Sequence, residues 1–257
     1  MKQRRELLDR NSASPPSDLK VAANEKQTDD EYASSRPTVL FFHANAGNVG
    51  HRIPYARIFY TRMRCNVIML SYRGYGLSEG KPTEKGIRMD AQATLDYVLS
   101  HPVLQSTKLI YYGQSIGGAV AIDLASRNPS NVHALILENT FLSIPLVAKQ
   151  VMPYVTPFLF LCTEKWRSDR AIKLVPSSTH ILLLSGLEDE LVPPSHMKSL
   201  WNTVTQGGKE RRTAEGVPTD SGILADNTCL QPGYWHSVEE FVRGIASGQF
   251  DKLQNDP

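Results

Sequence analysis

The chain has 257 residues, a net formal charge of +2 and 41% apolar residues. These values predict one large globular domain, and the absence of long like-charge blocks disfavours nucleic-acid binding or a polybasic membrane anchor. Three cysteines without C-x-x-C spacing (Cys65, Cys162 and Cys229) disfavour a disulfide framework or zinc site and favour a reducing compartment. No apolar run approaches the ~20 residues that span a bilayer, and the basic start lacks the apolar stretch of a signal peptide. We therefore expect a soluble, cytoplasmic chain with no membrane span, no metal and no organic cofactor.

The elements predicted along the chain alternate between strands and helices. Residues 1–37 are polar and rich in Ser, Asp, Glu and Pro, which predicts a largely irregular lead-in. Residues 38–250 then form the predicted domain. Near-continuous apolar strands between amphipathic helices predict an α/β fold, with a mostly parallel sheet covered by helices on both faces. The predicted strands are 38–42, 65–70, 109–112, 134–137 and 181–184, and the predicted helices are 53–64, 87–100, 117–127 and 233–246.

One segment breaks this alternation. Residues 141–170 are apolar and carry three prolines between the fourth and fifth predicted strands. An insertion at that point would lie over the carboxyl edge of the sheet. A substrate-binding cap and extra core helices are the two interpretations.

A G-x-S-x-G pentapeptide occurs twice. At 113–117 it follows an apolar strand directly and opens a helix of small residues, which is the strand–turn–helix context that raises a serine above a sheet edge. At 76–80 it lies in a Gly-rich loop before Lys81 and Pro82, which predicts an ordinary turn. Ser115 is therefore the candidate nucleophile, and a buried serine in a plain strand–helix turn is the alternative.

An acid and two oxyanion donors can be assigned from strand ends. Glu188, Asp189 and Glu190 follow the fifth predicted strand. Asp189, three residues after the glycine that ends the strand, is the candidate acid that orients the base, and the two glutamates are expected to be solvated. The loop after the first strand places the backbone N–H of Asn45 beside that of Ile116, so these are the candidate oxyanion donors.

The base is the least defined member of the site. The chain order Ser, Asp, His requires a histidine after Asp189, and His196 and His236 are the histidines that follow it. His196 is predicted at the start of a surface helix. His236 is the candidate base, although it falls in the first turn of the last predicted helix, where a surface histidine is the alternative.

Five stretches of sequence carry a family resemblance. They are Tyr-Arg-Gly-Tyr-Gly at 72–76, Gly-Gln-Ser-Ile-Gly-Gly at 113–118, Leu-Glu-Asn-Thr-Phe at 137–141, Gly-Leu-Glu-Asp-Glu-Leu-Val-Pro-Pro at 186–194 and Pro-Gly-Tyr-Trp at 232–235. On these motifs residues 38–245 resemble the bud-emergence-type α/β hydrolases of fungi and the related animal α/β-hydrolase-domain proteins. The resemblance implies an α/β-hydrolase fold, membrane association, and serine hydrolase chemistry on acyl esters or thioesters. Some members of the broader group remove palmitate from proteins, so it also implies a lipidated protein as candidate substrate.

The chain departs from that family's pattern in three places. Ala44 and Ala46 stand where the family's first loop has glycine, which would cost roughly 1 kcal/mol at a position needing positive φ. Ala225 stands where the family has its catalytic histidine, and an apolar strand expected across 210–223 is missing from the sequence. Family members also carry further strands before the equivalent of Thr38, so we expect N-terminal strands to be missing here.

The sequence thus predicts a serine hydrolase that cleaves a carboxylic ester or thioester through an acyl-enzyme. A serine without its base loses several orders of magnitude in rate. The alternative is therefore a catalytically impaired member that binds a lipid or a protein partner through the same pocket. Dehalogenase or epoxide hydrolase chemistry is disfavoured because it needs a carboxylate at the position of Ser115.

Overall fold

The computed structural model describes residues 27–205, 213–215 and 233–252. Its strands are β1 (Thr38–Phe42), β2 (Asn66–Leu70), β3 (Leu109–Gln114), β4 (Ala134–Glu138), β5 (His180–Leu184) and β6 (Thr213–Glu215). They form one parallel sheet in the order β2-β1-β3-β4-β5-β6. The helices are α1 (Asp29–Ser34), α2 (Val49–Thr61), α3 (Glu84–Ser100), α4 (Ile116–Arg127), α5 (Ile144–Val151), α6 (Ser168–Ala171), α7 (Ser195–Thr205), α8 (Tyr234–Ser247) and α9 (Gln249–Lys252).

The predicted parallel sheet is confirmed, because all five predicted strands are present. The strands β1, β3, β4 and β5 are buried along their whole length. That is the burial expected of parallel strands covered by helices on both faces. The outer strand β2 is partly buried at every position, which agrees with its place at the edge of the sheet.

Two elements of the structure were not predicted from the sequence. The strand missing from the 210–223 sequence pattern is present as β6, which pairs in parallel with β5. A three-residue edge strand needs main-chain pairing and no apolar run, so hydrophobicity did not reveal it. The lead-in also contains a helix, α1, closed by a capping box in which Thr28 Oγ1 accepts from Glu31 N and Glu31 Oε2 accepts from Thr28 N.

Alternate residues of the strands pack into two separate hydrophobic cores. Leu40 and Phe42 of β1 pack into a cluster with α3, α4 and α7, whereas Val39 and Phe41 pack into a cluster with α2 and α8. Successive strand side chains point to opposite faces of a sheet, so one apolar run supplies both cores. Helix α4 is the most central of the helices, with nine of its twelve residues buried.

The strand order fixes where a site can form. The neighbours of β1 are β2 on one side and β3 on the other, so the chain reverses its direction of travel across the sheet there. In parallel α/β sheets the crevice at the carboxyl ends of such strands is the usual ligand site. The loops after β1 and β3 meet at this point.

The segment after β4 forms a raised insertion. It contains α5 and a 3₁₀ helix (Pro153–Leu161), and it returns to the body of the protein at α6. Its role as a cap over a substrate site stays a prediction. In the described part of the chain, no helix is both long enough and apolar enough to cross a membrane.

Truncation of the central helix tests this packing. Leu124 is fully buried on α4, so Leu124→Ala should lower the free energy of unfolding by about 2–5 kcal/mol. Leu77 is fully exposed in a loop, so Leu77→Ala should change it by less than about 0.5 kcal/mol. Urea unfolding of both variants measures the difference, and equal losses would contradict the assignment of the core.

Candidate active site

The backbone at Ser115 has an unusual conformation that lifts the residue out of the sheet. Its φ is 54° and its ψ is −119°, between the end of β3 and the start of α4. A non-glycine residue at positive φ is strained and persists only where the surroundings hold it. The flanking glycines allow this turn: a Cβ at Gly113 would lie 2.2 Å from Gly117 O, and one at Gly117 would lie 2.0 Å from Phe42 O. No other residue type fits such close backbone approaches.

Three hydrogen bonds hold the turn. Ser115 N donates to Glu138 O at 2.9 Å, which extends the pairing of β3 with β4 by one residue. The carbonyl of Ser115 accepts from Gly118 N at 3.0 Å and from Thr140 Oγ1 at 2.8 Å. The residue itself remains partly exposed. The hydroxyl therefore sits at the crest of the sheet, beside the free N–H groups at the start of α4, where a developing negative charge is stabilised.

The loop after β1 adopts its turn without strain at the alanines. Neither Ala44 nor Ala46 has positive φ, and the positive φ of this loop, 77°, falls on Gly47. The penalty that the sequence suggested for alanine therefore does not arise. Asn45 is exposed, and its Oδ1 accepts a 2.5 Å hydrogen bond from Tyr75 Oη. That bond fixes the part of the loop whose backbone is the candidate oxyanion donor.

Asp189 is the acid held at the end of β5. It is 4% exposed, and its Oδ1 accepts from Leu191 N at 2.9 Å and Val192 N at 2.8 Å. Glu188 and Glu190 on either side are exposed. Hydrogen bonds from backbone amides stabilise an ionised carboxylate and fix its orientation. Its role as the acid partner of a base stays a prediction.

None of the described histidines is hydrogen-bonded to Ser115. All seven lie in the described part of the chain, and within that part no hydrogen bond joins any of them to Ser115. The side chain of His236 is 72% exposed, and its Nε2 lies 3.2 Å from Glu240 Oε1 one turn along α8. His196 is 2% exposed, and its Nδ1 accepts from Leu142 N, so its predicted surface position is wrong. Burial lowers the pKa of His196, which keeps its ring neutral.

Three further features considered in the sequence are the second pentapeptide, the family's histidine position and a metal site. The second pentapeptide, at 76–80, is a turn in which Ser78 Oγ donates to Ser71 O at 3.1 Å, as the sequence predicted. Ala225, at the family's histidine position, lies outside the described residues. In the residues that the structure describes, no group of three His, Cys, Asp or Glu side chains could hold a metal ion.

A buried carboxyl group that the sequence did not assign lies next to Ser115, at the end of β4. Glu138 is fully buried, and its Oε2 accepts from Tyr112 Oη at 2.5 Å and Tyr234 Oη at 2.6 Å. Its Oε1 accepts from Gln114 Nε2 at 3.1 Å. The carboxyl group joins β3, β4 and the first turn of α8, and the backbone of the same residue bonds to Ser115 N. The Leu-Glu-Asn-Thr-Phe motif was the available signal, but its role depends on contacts between distant segments.

Asn139 performs a related task at the neighbouring strand end. Its φ is 44°, its backbone N donates to Leu184 O, and its Oδ1 accepts from Gly186 N at 2.6 Å. The strand end near Ser115 is thereby tied to the loop that carries Asp189.

Comparison with known proteins gives consistent similarities. Residues 37–159 match a family described as alpha/beta hydrolase fold. The chain is 42% identical to Protein bem46 of Schizosaccharomyces pombe, over 87% of this chain and 75% of that protein. It is 44% identical to the alpha/beta hydrolase domain-containing protein WAV2 of Arabidopsis thaliana, over 82% and 71% of the two chains. The solved esterase Pf2001 of Pyrococcus furiosus superposes with a TM-score of 0.64 at 17% identity, covering 82% of each chain. That last similarity concerns the fold.

The Glu138 carboxyl provides a pH-dependent test of this network. Burial raises its pKa above the ordinary 4.5, although hydrogen bonds from Tyr112, Tyr234 and Gln114 act in the opposite direction. A carboxyl with a raised folded-state pKa contributes stability below the unfolded pKa, and this contribution is lost as pH rises through the folded pKa. Glu138→Gln imitates the neutral form. The Tm of Glu138→Gln minus that of the wild type should therefore become more positive as pH rises from 4.5 towards neutrality.

Thermal melts at several pH values measure that difference, and Glu188→Gln supplies the baseline for removing an exposed carboxyl group. A Tm difference that became more negative with rising pH would contradict the sign of the Glu138 shift.

Proposed function

Since this chain belongs to the α/β-hydrolase family, we propose that it is a serine hydrolase that cleaves a carboxylic ester or thioester through an acyl-enzyme. One observation carries the proposal: Ser115 is held at positive φ and partly exposed at the head of α4, between glycines that no larger residue could replace. Backbone strain of this kind clusters at functional sites.

The reaction follows from the groups around that turn. Ser115 Oγ attacks the carbonyl carbon of the substrate and gives its proton to a base. The oxyanion that forms is stabilised by the backbone N–H groups of Ile116 and Asn45, each oxyanion donor being worth about 10²–10³ in rate. The bond to the alcohol or thiol then breaks as that leaving group takes the proton. Water then gives a proton to the base and attacks the carbonyl carbon of the acyl-enzyme. The acid leaves, and Ser115 Oγ takes the proton back.

Asp189 orients the base in this proposal, and His236 is the base candidate from the sequence. Serving as the base would require the imidazole of His236 to leave Glu240 and turn from solvent towards the sheet edge. The absence of a hydrogen bond between Ser115 and any histidine of the described residues supports a second candidate function. In that alternative the chain is a catalytically impaired member that binds a lipid or protein partner at the same pocket.

A lipidated protein is the proposed substrate. Leu142, Ile144 and Val147, at the start of the insertion after β4, are partly buried against the core cluster that also packs Ile116. Apolar side chains in this position suit an acyl chain, whose burial contributes about 0.8 kcal/mol per methylene. On the family resemblance, the proposed reaction is cleavage of the thioester of a palmitoylated protein, in the cytoplasm and at a membrane surface.

A fluorophosphonate probe distinguishes the two candidate functions, because it labels only an activated serine. We expect the wild type to be labelled, Ser115→Ala to lose labelling completely, and Ser78→Ala, in the other pentapeptide, to keep it. Labelled protein on a gel, with circular dichroism to verify folding, gives the readout. Well-folded wild type that takes up no label would support the binding module, and labelling that survived Ser115→Ala would refute the assigned nucleophile.

Loss of the hydroxyl that steadies the oxyanion loop should slow the same reaction. Tyr75→Phe removes the hydrogen bond to Asn45 Oδ1 and leaves the ring in place. The rate constant of labelling should fall roughly tenfold, less than the 10²–10³ for removing an oxyanion donor itself. Time-resolved labelling measures it. An unchanged rate would show that Asn45 does not depend on Tyr75.

A further inference from the structure

The insertion after β4 exposes an unusual amount of apolar surface. Residues 141–163 contain a single charged side chain, Lys149, and no acidic one. Several of the largest exposed apolar side chains belong to α5 and the following 3₁₀ helix. They are Leu146 (39% exposed), Val151 (42%), Met152 (40%), Tyr154 (75%), Phe158 (63%), Phe160 (77%) and Leu161 (64%). We call residues 151–161 the cap tip.

Four side chains of the cap tip are more than 60% exposed, and they do not line the nearby cleft. The nearby cleft between α5 and α7, with a volume of about 380 Å³, is lined by Leu142, Leu146, Lys149, Gln150, Ser195, His196 and Ser199 and by none of the cap-tip residues. Bulky side chains that project by more than 60% of their surface suit a deformable apolar medium. A protein partner would have to supply a separate matching pocket for each of them.

The exposed charged side chains around the cap tip are all positive. Between residues 141 and 175 the exposed charged residues are Lys149, Lys165, Arg170 and Lys173. The remaining charged residues are partly buried, and Arg167 and Asp169 neutralise each other in a 2.7 Å ion pair. Aromatic and aliphatic side chains flanked by lysine and arginine are the composition of segments that lie in the interface of an anionic bilayer.

The base of the insertion is fixed to the body of the protein. Ile144 N donates to Lys165 O at 3.0 Å, which closes the two ends on each other. Glu84 at the start of α3 accepts from Lys165 N at 2.6 Å and Trp166 N at 3.0 Å. The insertion is therefore anchored at its base, next to the end of β4, where Ser115 N bonds to Glu138 O.

We propose that the cap tip is a membrane-docking surface that inserts its aromatic and aliphatic side chains into the interface of an anionic lipid bilayer. Phe158, Phe160 and Leu161 reach the acyl boundary, and Lys149 and Lys165 contact anionic headgroups. The contact brings the carboxyl edge of the sheet to the membrane. This inference goes beyond hydrolysis, because binding to a bilayer does not need a reactive Ser115.

Co-sedimentation with large vesicles tests the surface in the full chain. The vesicles contain phosphatidylcholine alone or phosphatidylcholine with phosphatidylserine. We expect the wild type and Ser115→Ala to bind the anionic vesicles equally, and Phe158→Ser/Phe160→Ser to bind at least about tenfold more weakly. The matched control is Tyr60→Ser/Tyr97→Ser, which removes two aromatics of 56% and 55% exposure near the opposite edge of the sheet. This control should bind like the wild type.

A second variant keeps the proposal testable if the double serine variant does not fold. Phe160→Trp places a fluorophore in the cap tip, and lipids brominated on the acyl chain should quench it more strongly than they quench the wild-type tryptophans. Lys149→Gln/Lys165→Gln should lose most of the preference for phosphatidylserine. The proposal is overturned by wild type that binds no vesicle, by equal weakening in the control, or by absence of extra quenching at position 160. A wild-type dimer in light scattering that Phe158→Ser/Phe160→Ser dissociates would assign the surface to a second copy of the chain and equally overturn it.

Discussion

The close approach of three backbone segments at the carboxyl edge governs the rest of the structure. The start of α4 passes so near to β1 and to the end of β3 that a single methyl group at Gly117 would lie 2.0 Å from Phe42 O. This approach fixes α4 against the sheet and obliges Ser115 to adopt positive φ. The same contact therefore sets the packing of the central helix and the exposure of the candidate nucleophile. Changes that relaxed it would disturb fold and site together.

Strain at Ser115 persists because neighbouring strand ends are tied to it and to each other. The motif after β4 supplies these ties: Glu138 binds the tyrosines of β3 and α8, Asn139 holds the loop after β5, and Thr140 holds the carbonyl of Ser115. Buried polar networks of this kind are costly when incomplete and rigid when satisfied. The candidate site is thus held by groups that do not themselves take part in chemistry.

The candidate nucleophile, oxyanion loop and acid differ from the candidate base in how they depend on the fold. The first three lie directly at the ends of strands, so the parallel sheet brings them to one edge. In the sequence resemblance, Ala225 stands at the family's histidine position, and it lies outside the described residues, whereas His236 lies on α8. The cap tip adds a different property to the same edge. In our proposal its exposed aromatic side chains and the nearby lysines bind a membrane surface, and this binding does not depend on whether Ser115 reacts.

The sequence by itself determined the strands, the parallel sheet and the identity of the candidate nucleophile. Continuous apolar runs are local patterns. Glycines on both sides of a serine, between a strand and a helix, likewise indicate locally that the backbone makes a tight turn there. Tertiary structure alone decided the rest. It placed β6 through main-chain pairing with β5, buried His196 beneath Leu142, turned His236 towards solvent, and assembled the network around Glu138 from residues up to 122 positions apart. Those outcomes depend on contacts between segments distant in the chain, and no pattern within a single segment encodes them.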